Sequence, residues 1–246
     1  MVRYSQLTFN LTVLLLGTSL NKLESGEQFV GIEERRQRER DEVRERILDA
    51  ARELFVECGY EGVTMRKVAE RIEYSPTTIY LHFADKETLF RELCGADFAQ
   101  LAAAFQKLAV IPDPLERLRA CAIEYIQFAV DHPNQYRLMF LTPNPTAPCE
   151  EALSERKGNA NEDAYAFLYA IVTSAIEAGL FRSEFKDTHL ICQILWAAVH
   201  GLASLEITNK NDAWVCWAPL AERSQTMLNG ILFGLLQPTT TAAFKE

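Results

Sequence analysis

Hydrophobic residues recur at intervals of three and four positions along most of this chain, which is the spacing that one face of an α-helix requires. After Glu33, for example, apolar side chains from Val43 to Phe55 fall on a single helical face. No stretch shows the two-residue alternation typical of a half-buried strand. We therefore predict an all-α protein of about nine helices. It comprises an N-terminal three-helix helix-turn-helix domain and a larger helical domain.

Residues that favour helix ends indicate where these helices begin and stop. Thr64, Ser75 and Asp85 can each accept a hydrogen bond from a backbone N–H in the first turn of a helix. Gly59 and Gly179 are placed to end helices. Further helices are predicted to begin near residues 113, 133, 162, 187 and 219, and a loop is predicted over residues 142–150.

Two short helices, predicted over residues 64–72 and 75–83, have the spacing of a helix-turn-helix unit. The second one begins with the sequence SPTT, in which a capping serine is followed by small residues. Small side chains let a helix N-terminus approach base edges in the DNA major groove, which is about 12 Å wide. The unit is therefore predicted to bind DNA. Donors placed to reach phosphates around it are Thr64, Tyr80, His82 and Lys86.

Several of these polar residues also have a purely structural interpretation. Tyr80 can be a half-buried aromatic residue, and His82 can be an ordinary surface residue. The arginine-rich stretch EERRQRERDEVRER, residues 33–46, can be a solvated helix face with ion pairs four positions apart, or an arm that also contacts phosphates. The ordered combination of residues is far more specific than any one of them.

The N-terminal segment does not share the helical pattern of the rest. Residues 9–20 are apolar but too short for a membrane span, which needs roughly 20 apolar residues. We predict that residues 1–30 form a poorly ordered extension, with a native start at Val30 as a further hypothesis. Residues 31–90 are then the DNA-binding domain, and residues 91–246 are the ligand-binding and dimerisation domain.

Composition and charge narrow the possible functions. The chain of 246 residues is 48% hydrophobic and 24% charged, which is an ordinary globular balance. Its net charge is −9, and residues 31–90 carry 11 basic against 14 acidic side chains, so attraction to DNA has to come from local placement of charge. The six cysteines have neither CxxC nor metal-ligand spacing. We predict no metal site, no cofactor and a cytoplasmic location.

The sequence from residue 43 to residue 90 resembles the DNA-binding domain of TetR-family transcriptional regulators. The resemblance rests on ILDAARELFVECGYEGVTMRKVAERI, followed by SPTTIYLHFADKETLF. One departure is Glu73, where the family often has glycine; a left-handed glutamate costs on the order of 1 kcal/mol. With Ser75 as the helix cap, the resemblance implies DNA contacts from Thr64, Arg66, Pro76, Thr77, Thr78, Tyr80, His82 and Lys86.

The C-terminal half resembles, less specifically, the ligand-binding half of a TetR subgroup with a Trp-His-Gly pattern. The matching stretches are YIQFAVDHPNQYRLMF and ILWAAVHGLASLEI, with the pattern at Trp196, His200 and Gly201. Trp196 and His200 lie one helical turn apart and have two interpretations, core packing with a satisfied histidine or the wall of a pocket for an apolar molecule. The predicted pocket residues are Tyr125, Phe128, Tyr136, Met139, Tyr165, Tyr169, Trp196 and His200.

The last two helices are more apolar than one face of a surface helix requires. Ile194, Leu205 and Ile231 are among the surplus residues. Packing of these helices against a second copy of the chain would bury them, and the TetR resemblance implies the same arrangement, a homodimer through a four-helix bundle.

These features predict a DNA-binding transcriptional regulator, a repressor that a small apolar molecule releases from a palindromic double-stranded DNA operator. No catalytic residue is predicted, because the sequence shows no carboxylate pair, no nucleophile–histidine set and no phosphate-binding glycine loop. One alternative is an all-α small-molecule-binding protein or enzyme on the same fold without DNA binding. Another is a regulator held at a membrane by residues 9–20, whereas the leading prediction has no membrane partner.

Overall fold

The computed structural model describes residues 5–142 and 157–238, and of residues 5–30 it describes the backbone alone. Within these ranges the regular structure is helical, apart from an isolated antiparallel bridge between Phe181 and Leu236. The prediction of an all-α fold is confirmed; the predicted loop lies, from residue 143 onwards, outside the described residues. The α-helices are α1 (Ser5–Gly62), α2 (Met65–Arg71), α3 (Pro76–Tyr80), α4 (Lys86–Gln106), α5 (Pro114–Asp131), α6 (Pro133–Tyr136), α7 (Ala164–Glu177), α8 (Thr188–Asn209) and α9 (Leu220–Leu235). A 3₁₀ turn (Lys107–Val110) follows α4, and a π-helical turn (Arg137–Leu141) follows α6.

The chain divides into two compact units, residues 1–49 and residues 50–246. In the first unit the side chains of residues 31–42 are exposed. Arg35 Nε lies 3.5 Å from Glu39 Oε1, so an ion pair four residues apart supports this arginine-rich face. The backbone is helical from Ser5, within the segment predicted to be a poorly ordered extension; that extension and the native start at residue 30 stay predictions.

The second unit begins inside α1, which bends at Gly59. Gly59 has φ 69° and ψ 172°, a conformation that glycine adopts without strain. Regular helical geometry therefore stops at Gly59, as the sequence predicts, and a further short helical turn follows it to Gly62. Phe55 and Phe90 pack edge to face with ring centres 4.9 Å apart. This contact joins α1 to α4, and the fully buried residues around it include Val68, Ile79 and Phe83.

The turn between α2 and α3 is built around Glu73, whose φ is 60°. Glu73 N donates to Glu70 O at 3.3 Å, and Tyr74 N donates to Ala69 O at 3.0 Å. This pair of bonds is the Schellman pattern that ends many helices, and its left-handed position usually holds glycine. Glu73 thus adopts the left-handed conformation at the position where the family often has glycine, at a conformational cost on the order of 1 kcal/mol.

Helices α4 to α9 build the larger helical part. Helices α5, α7 and α8 pack against one another, α4 packs on α7, and α9 packs on α8. Each fully buried leucine or phenylalanine of this core contributes about 1.5–3 kcal/mol through the hydrophobic effect. Helix α4 runs through residue 90, where the sequence predicts a domain boundary. A continuous helix does not mark such a boundary, which stays a prediction.

Helix α8 is long and apolar enough, by length and composition alone, to cross a membrane. In this protein its apolar face lies in the core, where Ile191, Leu195 and Val199 are buried. Packing within the protein therefore accounts for part of the apolar character of α8, while Leu190, Ile194 and Leu205 of the same helix are exposed.

Candidate DNA-binding surface and effector pocket

Helix α3 presents a short, capped N-terminus to solvent. Thr78 N donates to Ser75 Oγ at 3.2 Å, and Pro76 occupies the first helical position, where its missing N–H has no helical partner to lose. Ile79 is fully buried beneath the helix, whereas Pro76 and Thr77 are exposed. The local sequence therefore forms a fixed helix start with small side chains on its outer surface.

The residues after α3 differ in exposure. Tyr80 is 55% exposed and Leu81 is 70% exposed, so both extend the surface that begins at the N-terminus of α3. His82 is half-buried, and Phe83 is buried and holds the segment to the core. The aromatic ring predicted to reach a phosphate is thus accessible.

Thr64 and Arg66 lie at the start of α2. Lys67 N donates to Thr64 Oγ1 at 3.2 Å, so Thr64 caps the helix as predicted. Arg66 Nε lies 2.9 Å from Glu70 Oε1, and both side chains are largely exposed. Because an exposed ion pair contributes at most about 1 kcal/mol, Arg66 can exchange Glu70 for a phosphate with little loss.

Lys86 is less exposed than Arg66, and its ammonium group is held by the end of α1. Lys86 Nζ donates to Tyr60 O at 3.1 Å and lies 4.1 Å from the centre of the Tyr60 ring. Only 26% of the lysine side chain is exposed. The sequence predicts a phosphate donor at this position, and the structure adds a second role, in which Lys86 fastens the start of α4 to the end of α1.

The larger helical part contains a cavity of about 810 Å³, a volume that suits a drug-sized organic molecule. Its described walls are mostly apolar, and the charged side chains among the described lining residues lie between residues 157 and 163. The described lining residues are Phe98, Leu101 and Phe105 on α4; Leu118, Cys121, Ala122 and Tyr125 on α5; Met139 and Phe140; Lys157, Glu162 and Asp163; Ala164, Tyr165 and Leu168 on α7; Leu195, Trp196 and Val199 on α8; and Leu228, Ile231 and Leu232 on α9.

One wall of this cavity carries a chain of hydrogen bonds. Trp196 Nε1 donates to Tyr125 Oη at 3.1 Å, and Tyr125 Oη donates to Tyr136 Oη at 3.2 Å. Tyr136 Oη lies 2.6 Å from His200 Nδ1, and Tyr125 Oη lies 3.1 Å from the same nitrogen. Because Tyr125 gives its single hydroxyl proton to Tyr136, Tyr136 Oη is the group left to donate to Nδ1. With Nδ1 assigned as that acceptor, the ring proton of a neutral His200 lies on Nε2.

Burial keeps this wall uncharged. Desolvation raises the pKa of Tyr125 and of Tyr136, and it lowers the pKa of His200. A neutral His200 agrees with its role as acceptor. Burial also raises the pKa of the Cys121 thiol, so this cysteine is an apolar wall group and not a nucleophile.

The structure brings only part of the predicted pocket set to the cavity. Tyr125, Met139, Tyr165 and Trp196 line it. Tyr136 and His200 lie behind the wall as hydrogen-bond partners of Tyr125. Both interpretations of the Trp-His pair therefore apply, because Trp196 lines the cavity while His200 is a satisfied histidine.

Other residues of the C-terminal prediction lie away from the cavity lining. Phe128 is buried, with its ring centre 5.0 Å from that of His132. Tyr169 packs on His189 with ring centres 4.7 Å apart. Gly201 is exposed, and a Cβ atom added there would meet no other heavy atom within 4 Å. None of these three residues is in the described wall.

The sequence predicts that the ligand lies against α4, but the predicted pocket residues include none of the lining residues of α4 or α9. Phe98 and Phe105 lie seven positions apart on one apolar face of α4, which was the available signal. Ile231 was expected on a surface covered by a second copy, but it lines the cavity. Leu232 is fully buried within the chain. Part of the apolar surplus of the last helices is thus used inside the protein.

A buried ion pair joins α1 to α4. Arg52 Nε and Nη2 lie 3.1 Å and 2.7 Å from the two carboxylate oxygens of Asp97. Gln135 Nε2 donates to Asp97 Oδ1 at 2.9 Å. Asp97 is 1% exposed, so these bonds replace the water that its charge would otherwise bind.

The structure combines a helix-turn-helix unit, whose second helix is capped and faces solvent, with a large apolar cavity. This combination is typical of helical transcriptional regulators that bind a small molecule. Residues 47–93 match the model of bacterial regulatory proteins of the tetR family, and residues 118–216 match the model of the tetracyclin repressor-like C-terminal domain. The chain belongs to the TetR family.

Curated relatives are named transcriptional regulators. The chain is 46% identical over 59 residues to the repressor AcnR of Corynebacterium diphtheriae, which covers 24% of this chain and 31% of AcnR. It is 34% identical over 111 residues to the activator FasR of Mycolicibacterium smegmatis, covering 44% of this chain and 50% of FasR. It is 27% identical over 164 residues to the repressor NicS of Pseudomonas putida, covering 65% and 75%. The chain thus spans half or less of the length of AcnR and FasR.

Solved structures share the fold. FadR from Bacillus subtilis, solved in complex with stearoyl-CoA, has a TM-score of 0.62 and 20% identity, covering 77% of this chain and 97% of that chain. The ketosteroid regulator KstR2 of Mycobacterium tuberculosis has a TM-score of 0.59 and 20% identity, covering 79% and 95%. At these identities the likeness shows the fold alone.

Proposed function

We propose that this chain is a ligand-responsive transcriptional regulator, a repressor that leaves a palindromic DNA operator when a small apolar molecule occupies the cavity. The observation that carries the proposal is that the single helix α4 contributes residues to both parts of the protein. Its buried Leu89 and Phe90 lie in the part that matches the DNA-binding domain, and its Leu101 and Phe105 line the cavity. A ligand that binds two orientations of α4 with different affinity therefore changes operator affinity.

The proposed DNA contacts divide into two kinds. Pro76, Thr77 and Thr78 at the start of α3 face base edges, since small residues permit a close approach. Donors around them hold phosphates and position α3 without reading sequence. The proposed phosphate contacts are Thr64, Arg66, Tyr80, His82 and Lys86, with Ser75 holding the helix start.

The proposed protein partner is a second copy of the chain, joined through α8 and α9. On α8, Ile194 and Leu205 are 42% and 46% exposed, with Gly201 exposed between them. On α9, Phe233 is 50% exposed and lies beside the exposed Gly230. A Cβ atom added at either glycine meets nothing within 4 Å, so these positions offer open surface for close helix packing across a two-fold axis.

Repression and an apolar effector are supported by the relatives. AcnR and NicS are named repressors, whereas FasR is named an activator. FadR was solved with stearoyl-CoA, and KstR2 is named a ketosteroid regulator. Trp196 and His200 of the Trp-His-Gly pattern are proposed to mark the pocket side of α8, whereas its Gly201 belongs to the proposed dimer surface. The proposed location is the cytoplasm, where the operator is accessible.

Selection from random double-stranded DNA with the full chain tests the proposal. We expect a palindromic site, with half-site centres roughly 34–36 Å apart or somewhat more. Thr77→Ala should change the bases selected within each half-site. Ser174→Ala, which removes a hydroxyl group from α7, should leave the selection unchanged. An asymmetric single half-site would contradict the dimer, and no enriched sequence would favour a small-molecule-binding protein without DNA binding.

A further inference from the structure

The hydrogen bonds on the Tyr125 side of the cavity run in one direction. Trp196 Nε1, Tyr125 Oη and Tyr136 Oη donate in turn to Tyr125, Tyr136 and His200 Nδ1, at 3.1, 3.2 and 2.6 Å. The chain ends on a histidine nitrogen without a proton, and burial of His200, which lowers its pKa, keeps the ring neutral. Each donor of this chain is therefore already used by the protein.

The other hydroxyl group on the described wall also has protein partners. Tyr165 Oη lies 3.1 Å from His189 Nδ1. Burial raises the pKa of Tyr165, and a hydrogen bond from Gln193 opposes that rise. A ligand atom that needs a hydrogen-bond donor thus has to displace the bond from Tyr125 to Tyr136, and at Tyr165 it competes with His189 Nδ1.

The charged side chains of the described lining are those of Lys157, Glu162 and Asp163. Lys157 and Glu162 are exposed, and Asp163 accepts bonds from Tyr165 N at 2.8 Å and Ala166 N at 3.2 Å as the cap of α7. The described hydrogen-bond partners of Tyr125 Oη, which are Trp196, Tyr136 and His200, are uncharged when the His200 ring is neutral. A ligand carboxylate or carbonyl placed there would be desolvated without a free donor, which is unfavourable.

The same wall does offer an acceptor. Tyr125 Oη receives one bond from Trp196 and gives its own proton away, and a phenolic oxygen can accept more than one bond. A hydroxyl group is the ligand group that matches this arrangement, because it supplies the proton that the wall lacks.

We infer that the cavity selects an uncharged hydrocarbon that carries a hydroxyl group, a long-chain or sterol-like alcohol, and that this hydroxyl donates to Tyr125 Oη. A carboxylate or a thioester is a poorer match for this wall. The inference rests on the proposed function only in calling the molecule an effector, since binding is measurable without DNA.

Displacement of the neutral fluorescent probe N-phenyl-1-naphthylamine from the full chain tests the inference with three matched ligands. Dodecan-1-ol should bind about 2- to 12-fold more tightly than its methyl ether, the range that one net hydrogen bond supports. Dodecanoate should bind at least about tenfold more weakly than the alcohol, because its carboxylate meets no free donor at Tyr125. The Lys157 ammonium group on the described lining is exposed to water, where an ion pair contributes at most about 1 kcal/mol. An ether or a carboxylate that binds as tightly as the alcohol overturns the inference.

Two tyrosine variants separate recognition from general damage to the wall. Tyr125→Phe removes the acceptor, so the alcohol and the ether should bind about equally. Tyr136→Phe removes a hydroxyl group from the same chain, but Tyr125 Oη keeps His200 Nδ1 at 3.1 Å as its acceptor, so the preference for the alcohol should remain. Equal loss of preference in both variants would indicate a structural role and overturn the inference.

A third variant covers the case in which Tyr125→Phe does not fold. Trp196→Phe removes the bond that Tyr125 Oη now accepts, so the preference for the alcohol should persist or increase. Loss of the preference in this variant would also overturn the inference. Operator binding is measured separately, and an alcohol that binds with the expected preference but leaves DNA binding unchanged would refute the proposed function and not the inference.

Discussion

Replacing Asp97 by asparagine is expected to destabilise the fold far more than loss of a surface charge would. The carboxylate is 1% exposed and receives bonds from Arg52 at 2.7 and 3.1 Å and from Gln135 at 2.9 Å. Asparagine has the same size but keeps one neutral acceptor oxygen and turns an NH₂ group towards other donors. Breaking a buried ion pair by removing one partner costs about 3–5 kcal/mol. Because 14% of the Arg52 side chain remains exposed, we expect the lower end of this range.

Urea unfolding followed by circular dichroism, at one fixed protein concentration, measures this loss. A change of about 3 kcal/mol should lower the midpoint by about 1 M or more. Glu70→Gln is the matched control, since it breaks the Arg66 ion pair at 2.9 Å on the surface, and it should cost less than about 1 kcal/mol. Equal midpoints for Asp97→Asn and Glu70→Gln would refute the reasoning. Replacing both buried partners, Arg52→Met with Asp97→Leu, should recover part of the loss.

Two further predictions concern the Glu73 turn and His200. Glu73→Gly should stabilise the protein by about 1 kcal/mol, because glycine adopts a φ of 60° without strain. Glu70→Gly, three positions earlier in α2, should destabilise it by about 1 kcal/mol, and urea midpoints that move in the same direction would contradict this account. Burial lowers the pKa of His200 in the folded state, so the contribution of its neutral form is complete above the unfolded pKa of about 6.5 and is lost as pH falls through the folded pKa. Between about pH 7.5 and pH 5.5 the wild type should therefore lose more stability than His200→Asn, and parallel losses would speak against it.

Helix ends and turns are predictable from this sequence because their causes are local. Ser75, Asp85 and Asp113 each cap the helix that follows them, as the sequence indicates. The family often has glycine in the short turn between the two predicted helices, which marks a left-handed position, and Glu73 adopts that conformation. Each of these features depends on a few neighbouring residues.

Contacts between residues that are distant in the sequence are harder to predict from it. Asp97 lies on an apolar face of α4, which hints at burial, but its partner Arg52 is 45 positions away. Lys86 has the position of a free cation at a helix start, and its bond to Tyr60 O depends on how α1 packs on α4. These partners are defined only once the helices are packed.

The cavity shows a different limit of sequence reasoning. Hydrophobic periodicity identifies the side of a helix that avoids water, but it does not distinguish a core, a cavity wall and a surface covered by a second copy. Leu232 belongs to the cavity wall, Phe233 is half exposed, and Leu235 is buried in the core, although all three are apolar residues within four positions of α9.

The continuity of α4 has a consequence for the construction of hybrid regulators. Phe90 and Leu101 lie on one uninterrupted helix, one in the helix-turn-helix core and the other in the cavity wall. Each residue inserted between them turns the following side chains by about 100° and advances them by about 1.5 Å. A junction that joins the DNA-binding half of one family member to the cavity of another therefore has to preserve the residue count of α4. A hybrid with one residue missing after Phe90 would turn Phe98 and Leu101 away from the cavity while leaving α3 intact, and it would bind its operator but fail to respond to its effector.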